Sequence, residues 1–162
     1  MDYPQDPRTV GMLGGWSPSG EPLPAMPDHL FAVAASWPVS EHTPPEIREQ
    51  LRVSRDLFTH CLLVWEFSVV GVAWSLMAVE STLRWVLGAG DSVSFKTLIT
   101  RAHQDGLLTD ELAEVVHVGR ELRNGFSHPK NQPAWTLGMA APALQRSHEV
   151  VFHVSEIAAS RR

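Results

Sequence analysis

The chain has 162 residues, 44% of them hydrophobic, enough for one domain with a sizeable core. Thirteen lysines and arginines against 18 acidic residues leave a net charge of −5, which excludes a global basic field for holding nucleic acid, so any RNA contact has to be local. The single cysteine, Cys61, excludes an internal disulfide and a cysteine-based zinc site within one chain, and in its apolar run it reads as a buried thiol.

The opening stretch MDYPQDPRTVGMLGG has early acidic residues, no basic n-region and no apolar h-region, which speaks against a secretory signal and makes a reducing, cytoplasmic setting the default. Residues 1–43 hold seven of the twelve prolines and four of the eleven glycines, so they read as an extended segment, a tail or a strap. Within it HLFAVAASW, residues 29–37, is a candidate strand or short helix.

Regular structure is predicted from HTPPEIREQL onward. Thr43 suits an N-cap, Pro44 and Pro45 a first turn, and Glu46 the far side of a capping box. Ile47, Leu51, Phe58 and Leu62 recur at spacings of four or seven and give that helix one apolar stripe, to about residue 63. Between Cys61 and Val79 only Glu66 is charged, which is nearly long enough for a membrane span. Glu66 inside the run, Glu80 and Arg84 just beyond it and an amphipathic helix before it favour a break near residues 63–66 and a central helix to Leu87, ended by Gly88 and Gly90. One long helix is the alternative, because no glycine or proline marks the break.

A short helix follows with Phe95, Leu98 and Ile99 on one side, stopped at Gly106. Thr109 then caps DELAEVVHVGRELRNGFSH, with Asp110 and Glu111 at the positive helix end. After a loop containing Pro129, Pro133 and Trp135, a last helix starts near Ala141 and keeps Leu144, Val151, Val154 and Ile157 in phase. The expected fold is an all-α bundle of about five helices over residues 44–162, with no convincing sheet.

The candidate chemistry lies in ELRNGFSHP, residues 121–129. At about 100° per residue, Leu112, Val115, Val116, Gly119, Leu122 and Phe126 share a core face. Arg123 projects within that face on the Val116 side. Ser127, Arg120, Asn124, His117 and His128 form the polar arc beyond, where side chains can converge on one anion. A partly buried guanidinium needs acceptors, and Glu80, interrupting the apolar central helix, is the candidate partner. Arg84, four residues on, is the alternative local partner for Glu80.

Bland readings stand beside these. His128 as a cation would complement a helix C-terminus, Asn-Gly is ordinary turn chemistry, and Arg123 serves equally in a structural ion pair. His117 and Glu121 have a metal-ligand spacing but are two ligands only. Trp65, Trp74 and Trp85 are expected in the core, and Trp16, Trp37 and Trp135 as straps in loop-like regions. His103, His148 and His153 show no partners in the sequence.

The pattern RNGFSH, Arg123 to His128, near the end of a late helix resembles the motif of the HEPN superfamily. MAVESTLRWVL is similar to the acidic second-helix segment of some members, and the helix order from Ser94 to Pro129 matches theirs; the resemblance covers residues 44–159. Gly125 and Pro129 are departures that weaken and end the helix at the motif.

The resemblance implies a homodimer with a composite, metal-independent ribonuclease site, and with it a toxin or defence role and a cognate antitoxin; no metal, cofactor, membrane or DNA partner is expected. Cleaving RNA without metal needs a base for the 2′-hydroxyl, a cation for the phosphorane and an acid for the leaving oxygen. His128 has the pKa for base or acid, Arg123 steadies the phosphoryl charge, and Asn124 orients His128. Arg120 and Lys130 offer phosphate contacts, and Glu80 supports Arg123. The alternative is a non-catalytic HEPN-like module that binds RNA, a nucleotide or a protein partner.

Overall fold

The computed structural model describes residues 4–126 and 136–161. The described residues form a mostly helical bundle. A short 3-10 turn at Pro7–Thr9 and a two-stranded antiparallel hairpin, β1 (Leu13–Trp16) and β2 (Pro22–Pro24), precede six α-helices. These are α1 (Pro27–Ala35), α2 (Pro45–Thr59), α3 (Phe67–Val86), α4 (Phe95–Gln104), α5 (Asp110–Phe126) and α6 (Leu137–Ser160). Five of them match the bundle expected over residues 44–162. The sixth, α1, takes the short-helix alternative read for residues 29–37, and the hairpin is regular structure in a segment otherwise expected to be extended.

α3 is the central element, packing most extensively on α2 and α6 and also on α4 and α5. Along its length Ser68, Ser75 and Thr82 recur every seven residues, all fully buried. Each hydroxyl donates to a nearby carbonyl of its own chain segment, Ser68 to Trp65 in the turn before α3, and Ser75 to Val72 and Thr82 to Ala78 within it, at 2.8–2.9 Å. Small self-satisfied side chains let neighbouring helices approach closely without leaving unpaired polar groups. Gly71 sits in the same seam, where an added Cβ would lie 3.1 Å from the Ser54 carbonyl oxygen of α2.

The break before α3 falls at residues 60–66, so the apolar run from Cys61 to Val79 is not one continuous helix. α3 itself is, among the described residues, the one helix long and apolar enough to cross a membrane, with 44% of its most apolar window buried in the bundle. Of the three tryptophans of this region, Trp85 packs partly buried against the main core cluster, Trp65 is partly buried in the turn before α3, and Trp74 departs from the expected core position. It is exposed because, among the described residues, no element covers the side of α3 that carries Val70 and Trp74. An all-round apolar helix does not announce which side its neighbours leave open.

Helix ends follow local chemistry in some places and not in others. Ser94 accepts from the Thr97 amide at 3.2 Å and Thr109 from the Leu112 amide at 3.2 Å, so both act as caps. Gly88 and Gly106 follow α3 and α4 with φ of +58° and +67°, the left-handed conformation that glycine adopts most readily. The capping box expected from Thr43 and Glu46 does not form. Pro44 occupies the cap position without a side-chain bond, and the Thr43 hydroxyl donates instead to Ser155 of α6 at 2.8 Å. α6 starts at Leu137, four residues before the expected Ala141, and carries Pro142 inside its second turn.

The amino-terminal segment is bound to the bundle. Thr9 is buried, with its hydroxyl near both Asp6 O and Leu62 O, and the Asp6 amide donates to Leu62 O at 2.9 Å. Leu30, Ala34 and Trp37 share a buried cluster with Phe58, Val72 and Leu144. Trp37 lies 5.1 Å from the Phe58 ring and 5.3 Å from that of His148, so it does strap the bundle.

Candidate functional site

Arg123 occupies the last turn of α5, and Glu80 the third quarter of α3. The two helices come together because Gly119 faces Leu76: a Cβ at Gly119 would lie 2.6 Å from Leu76 Cδ2, and the missing side chain lets the backbones approach. One turn further along each helix, Arg123 Nη1 donates to Glu80 Oε2. Arg84 Nη2 donates to the other carboxylate oxygen at 2.9 Å. Both partners anticipated for Glu80 are thus engaged, one oxygen each.

The three side chains are mostly shielded, with 18% of Glu80, 20% of Arg84 and 35% of Arg123 exposed. Arg84 also donates to the carbonyls of Gly90 at 2.5 Å and Val93 at 3.1 Å, tying the turn after α3 to the site. The Arg123 guanidinium carbon lies 5.9 Å from the centre of the Phe95 ring, at the start of α4. Elements α3, α4 and α5 therefore fix one guanidinium between a carboxylate and an aromatic ring. Charge-assisted bonds of this kind, partly shielded from water, are stronger than exposed pairs.

Arg120, one turn before, is 21% exposed in its side chain and donates from Nη2 to Glu121 Oε1 at 3.2 Å. Its Nε is buried without a hydrogen-bond partner among the described residues. Asn124 is exposed beside Arg123, and His117 is half-buried on the same helix. His128 and Lys130 lie outside the described residues. Among the described residues no three His, Cys, Asp or Glu side chains cluster as a metal site would require. Three guanidiniums, those of Arg84, Arg120 and Arg123, stand against the carboxylates of Glu80 and Glu121, a local excess of one positive charge in an acidic chain.

Away from this site the structure places a buried polar group that the sequence did not announce. His148 of α6 is fully buried, with Nε2 3.4 Å from Ser54 Oγ and Nδ1 3.3 Å from Pro38 O. Burial, and then the neighbouring Arg55 charge, pull its pKa down to about 3. Arg55 itself donates to the Trp37 carbonyl. These partners come from α2 and the segment before it, far away in sequence, which is why His148 looked partnerless. His103 also has a partner, Asp110 Oδ1 at 2.7 Å across the α4–α5 turn. Cys61 is a buried thiol, its pKa pushed up to about 12 by burial.

Comparison with models of protein families, with curated proteins and with solved structures finds no match to this chain.

Proposed function

We propose that the protein is a HEPN-type, metal-independent endoribonuclease, of a toxin or defence kind, acting in the cytoplasm as a homodimer whose two subunits compose one site. The observation that supports this reading best is the Glu80 carboxylate engaging Arg123 and Arg84 at the end of α5. A cation that is to stabilise a phosphorane must be held in place before the reaction, so that no reorganisation is needed when charge develops. Glu80 and Phe95 supply that restraint for Arg123.

In this mechanism His128 takes the 2′-hydroxyl proton, the 2′-oxygen attacks the adjacent phosphorus, and the 5′-oxygen leaves with a proton from the His128 of the other subunit. The products are a 2′,3′-cyclic phosphate and a 5′-hydroxyl. Asn124 orients His128, while Arg120 and Lys130 meet flanking phosphates.

A second reading, a non-catalytic module that binds RNA, a nucleotide or a protein partner, draws on the same pair. A guanidinium already joined to a carboxylate also serves to shape a binding surface.

The test is incubation of wild type, Arg123→Ala and His128→Ala with labelled RNA in EDTA, with product ends and solution mass measured in parallel. Cleavage to 2′,3′-cyclic ends by the wild type, lost in dimeric His128→Ala, supports the ribonuclease. RNA retention without cleavage, weakened by Arg120→Ala, supports the binding module, and neither behaviour removes both.

A further inference from the structure

α5 carries two apolar faces. Ala113 and Val116 are buried against the bundle, whereas Val115 and Leu122 are half-buried and Val118 is 52% exposed. The second set recurs at intervals of three and four and forms one wall of a groove of about 400 Å³. Its other wall is α6, through Ala143, Arg146 and Val150, again at intervals of three and four. Leu76 and Val79 of α3 form the floor. Two walls with this spacing are what an additional bundle helix packs on, ridge into groove.

The length and the charge of the groove narrow its occupant. From Glu111 to Leu122 the α5 wall runs about 16 Å at 1.5 Å per residue, long enough for apolar anchors at i, i+4 and i+7 of an incoming helix. Among the described residues, the charged ones that line it are Glu111, Glu114 and Arg146. Arg146 is engaged by Glu149 at 2.8 Å and lies 4.0 Å from Glu111, so the carboxylates outnumber it and that end is acidic. Around Leu122 the described lining residues carry no charge.

We infer that the groove between α5 and α6 docks an amphipathic helix of another protein, its apolar face on Val115, Val118 and Leu122 and a lysine or arginine at the end facing Glu111 and Glu114. The surface borders the Gly119–Leu76 seam that positions the arginine site, but the guanidiniums of that site do not line it. Arg120 projects about 160° around α5 from Val118. The inference therefore stands whether or not the chain cleaves RNA.

The experiment uses the full chain and two labelled synthetic helices of about 15 residues, identical in their leucine face at i, i+4 and i+7 and differing only in lysine or glutamate flanks. Binding is read by fluorescence anisotropy. The lysine-flanked helix is expected to bind with a Kd on the order of 10 μM, as suits a small interface, and the glutamate-flanked one at least about tenfold more weakly. Val118→Asp weakens the lysine-flanked helix by about tenfold or more, and Glu114→Lys narrows the preference by about threefold or more. Val118 is more than half exposed, so the substitution spares the fold, and Val118→Asn repeats the measurement if melting shows otherwise.

Equal binding of both helices, or binding indifferent to Val118, overturns the inference. Sedimentation across concentration provides the other arm. A wild-type self-association that Val118→Asp abolishes assigns the groove to a second copy and overturns it as well.

Discussion

Glu80 illustrates how much one residue can be read from its neighbours. A carboxylate in an apolar helix demands cations, and the sequence offered Arg84 and Arg123; the structure uses both. Glu80→Gln keeps the shape and removes the charge, so stability is expected to fall by about 1–2 kcal/mol, discounted for partial exposure, in urea denaturation. If Arg123 acts on RNA, cleavage falls further than the loss of folded protein explains. His148 is the opposite case. Because the unfolded chain takes up its proton near pH 6.5 and the folded chain only near pH 3, the stability it contributes is complete above pH 6.5 and is lost as pH falls through that window. Melting followed from pH 7 to pH 4.5 is expected to show this decline, at most about 1.4 kcal/mol per pH unit, and His148→Gln to flatten it. A profile unchanged by the substitution would place the acid sensitivity elsewhere.

At the scale of elements, helix existence and type were legible because apolar residues recur at the helical period from Ile47 to Ile157. What escaped was the set of faces. Val115 was assigned to the core with Val116, yet it lines the groove, and Leu122 both packs against a core cluster and lines the groove, because periodicity reports an apolar arc and not what stands against it. Thr43 was a plausible cap by every local rule, and the hydroxyl of Ser155, distant in sequence, competes for it. Gly119 carries the close approach of α5 to α3, and its replacement tests that approach. Gly119→Ala is expected to cost about 1–3 kcal/mol, since the new methyl overlaps Leu76 in a packed seam. Gly119→Ala with Leu76→Val recovers part of that loss if the clash is the cause, as a double-mutant cycle in denaturant would record.

At the scale of the molecule, the amino-terminal segment is part of the fold. Its buried side chains, Leu30, Ala34 and Trp37, complete a core cluster with α2, α3 and α6. Trp37→Ala is expected to destabilise the protein by about 3–5 kcal/mol, the cost of emptying a large aromatic site, seen as a lower Tm. Removal of residues 1–36 leaves Trp37 but takes Leu30 and Ala34 away, and is expected to expose apolar surface that binds a hydrophobic dye. A truncated chain that melted like the full one would show that the segment contributes nothing to the core. Among the described residues, the apolar stripe of α3 that carries Trp74 and the α5–α6 groove are left uncovered.

The sequence by itself determined the all-α class and the buried Cys61, and it named Arg123 and Arg84 as the candidate partners of Glu80, because these follow from local periodicity or from the cost of a lone charge among apolar residues; the break between α2 and α3 and the engagement of both arginines came from the structure. Tertiary structure alone decided that Trp37 is buried while Trp74 is exposed, that His148 stays neutral, and that α5 turns one apolar face outward. Those outcomes depend on which helix lies beside which, and neighbours far apart in sequence leave no mark on the local pattern of either partner.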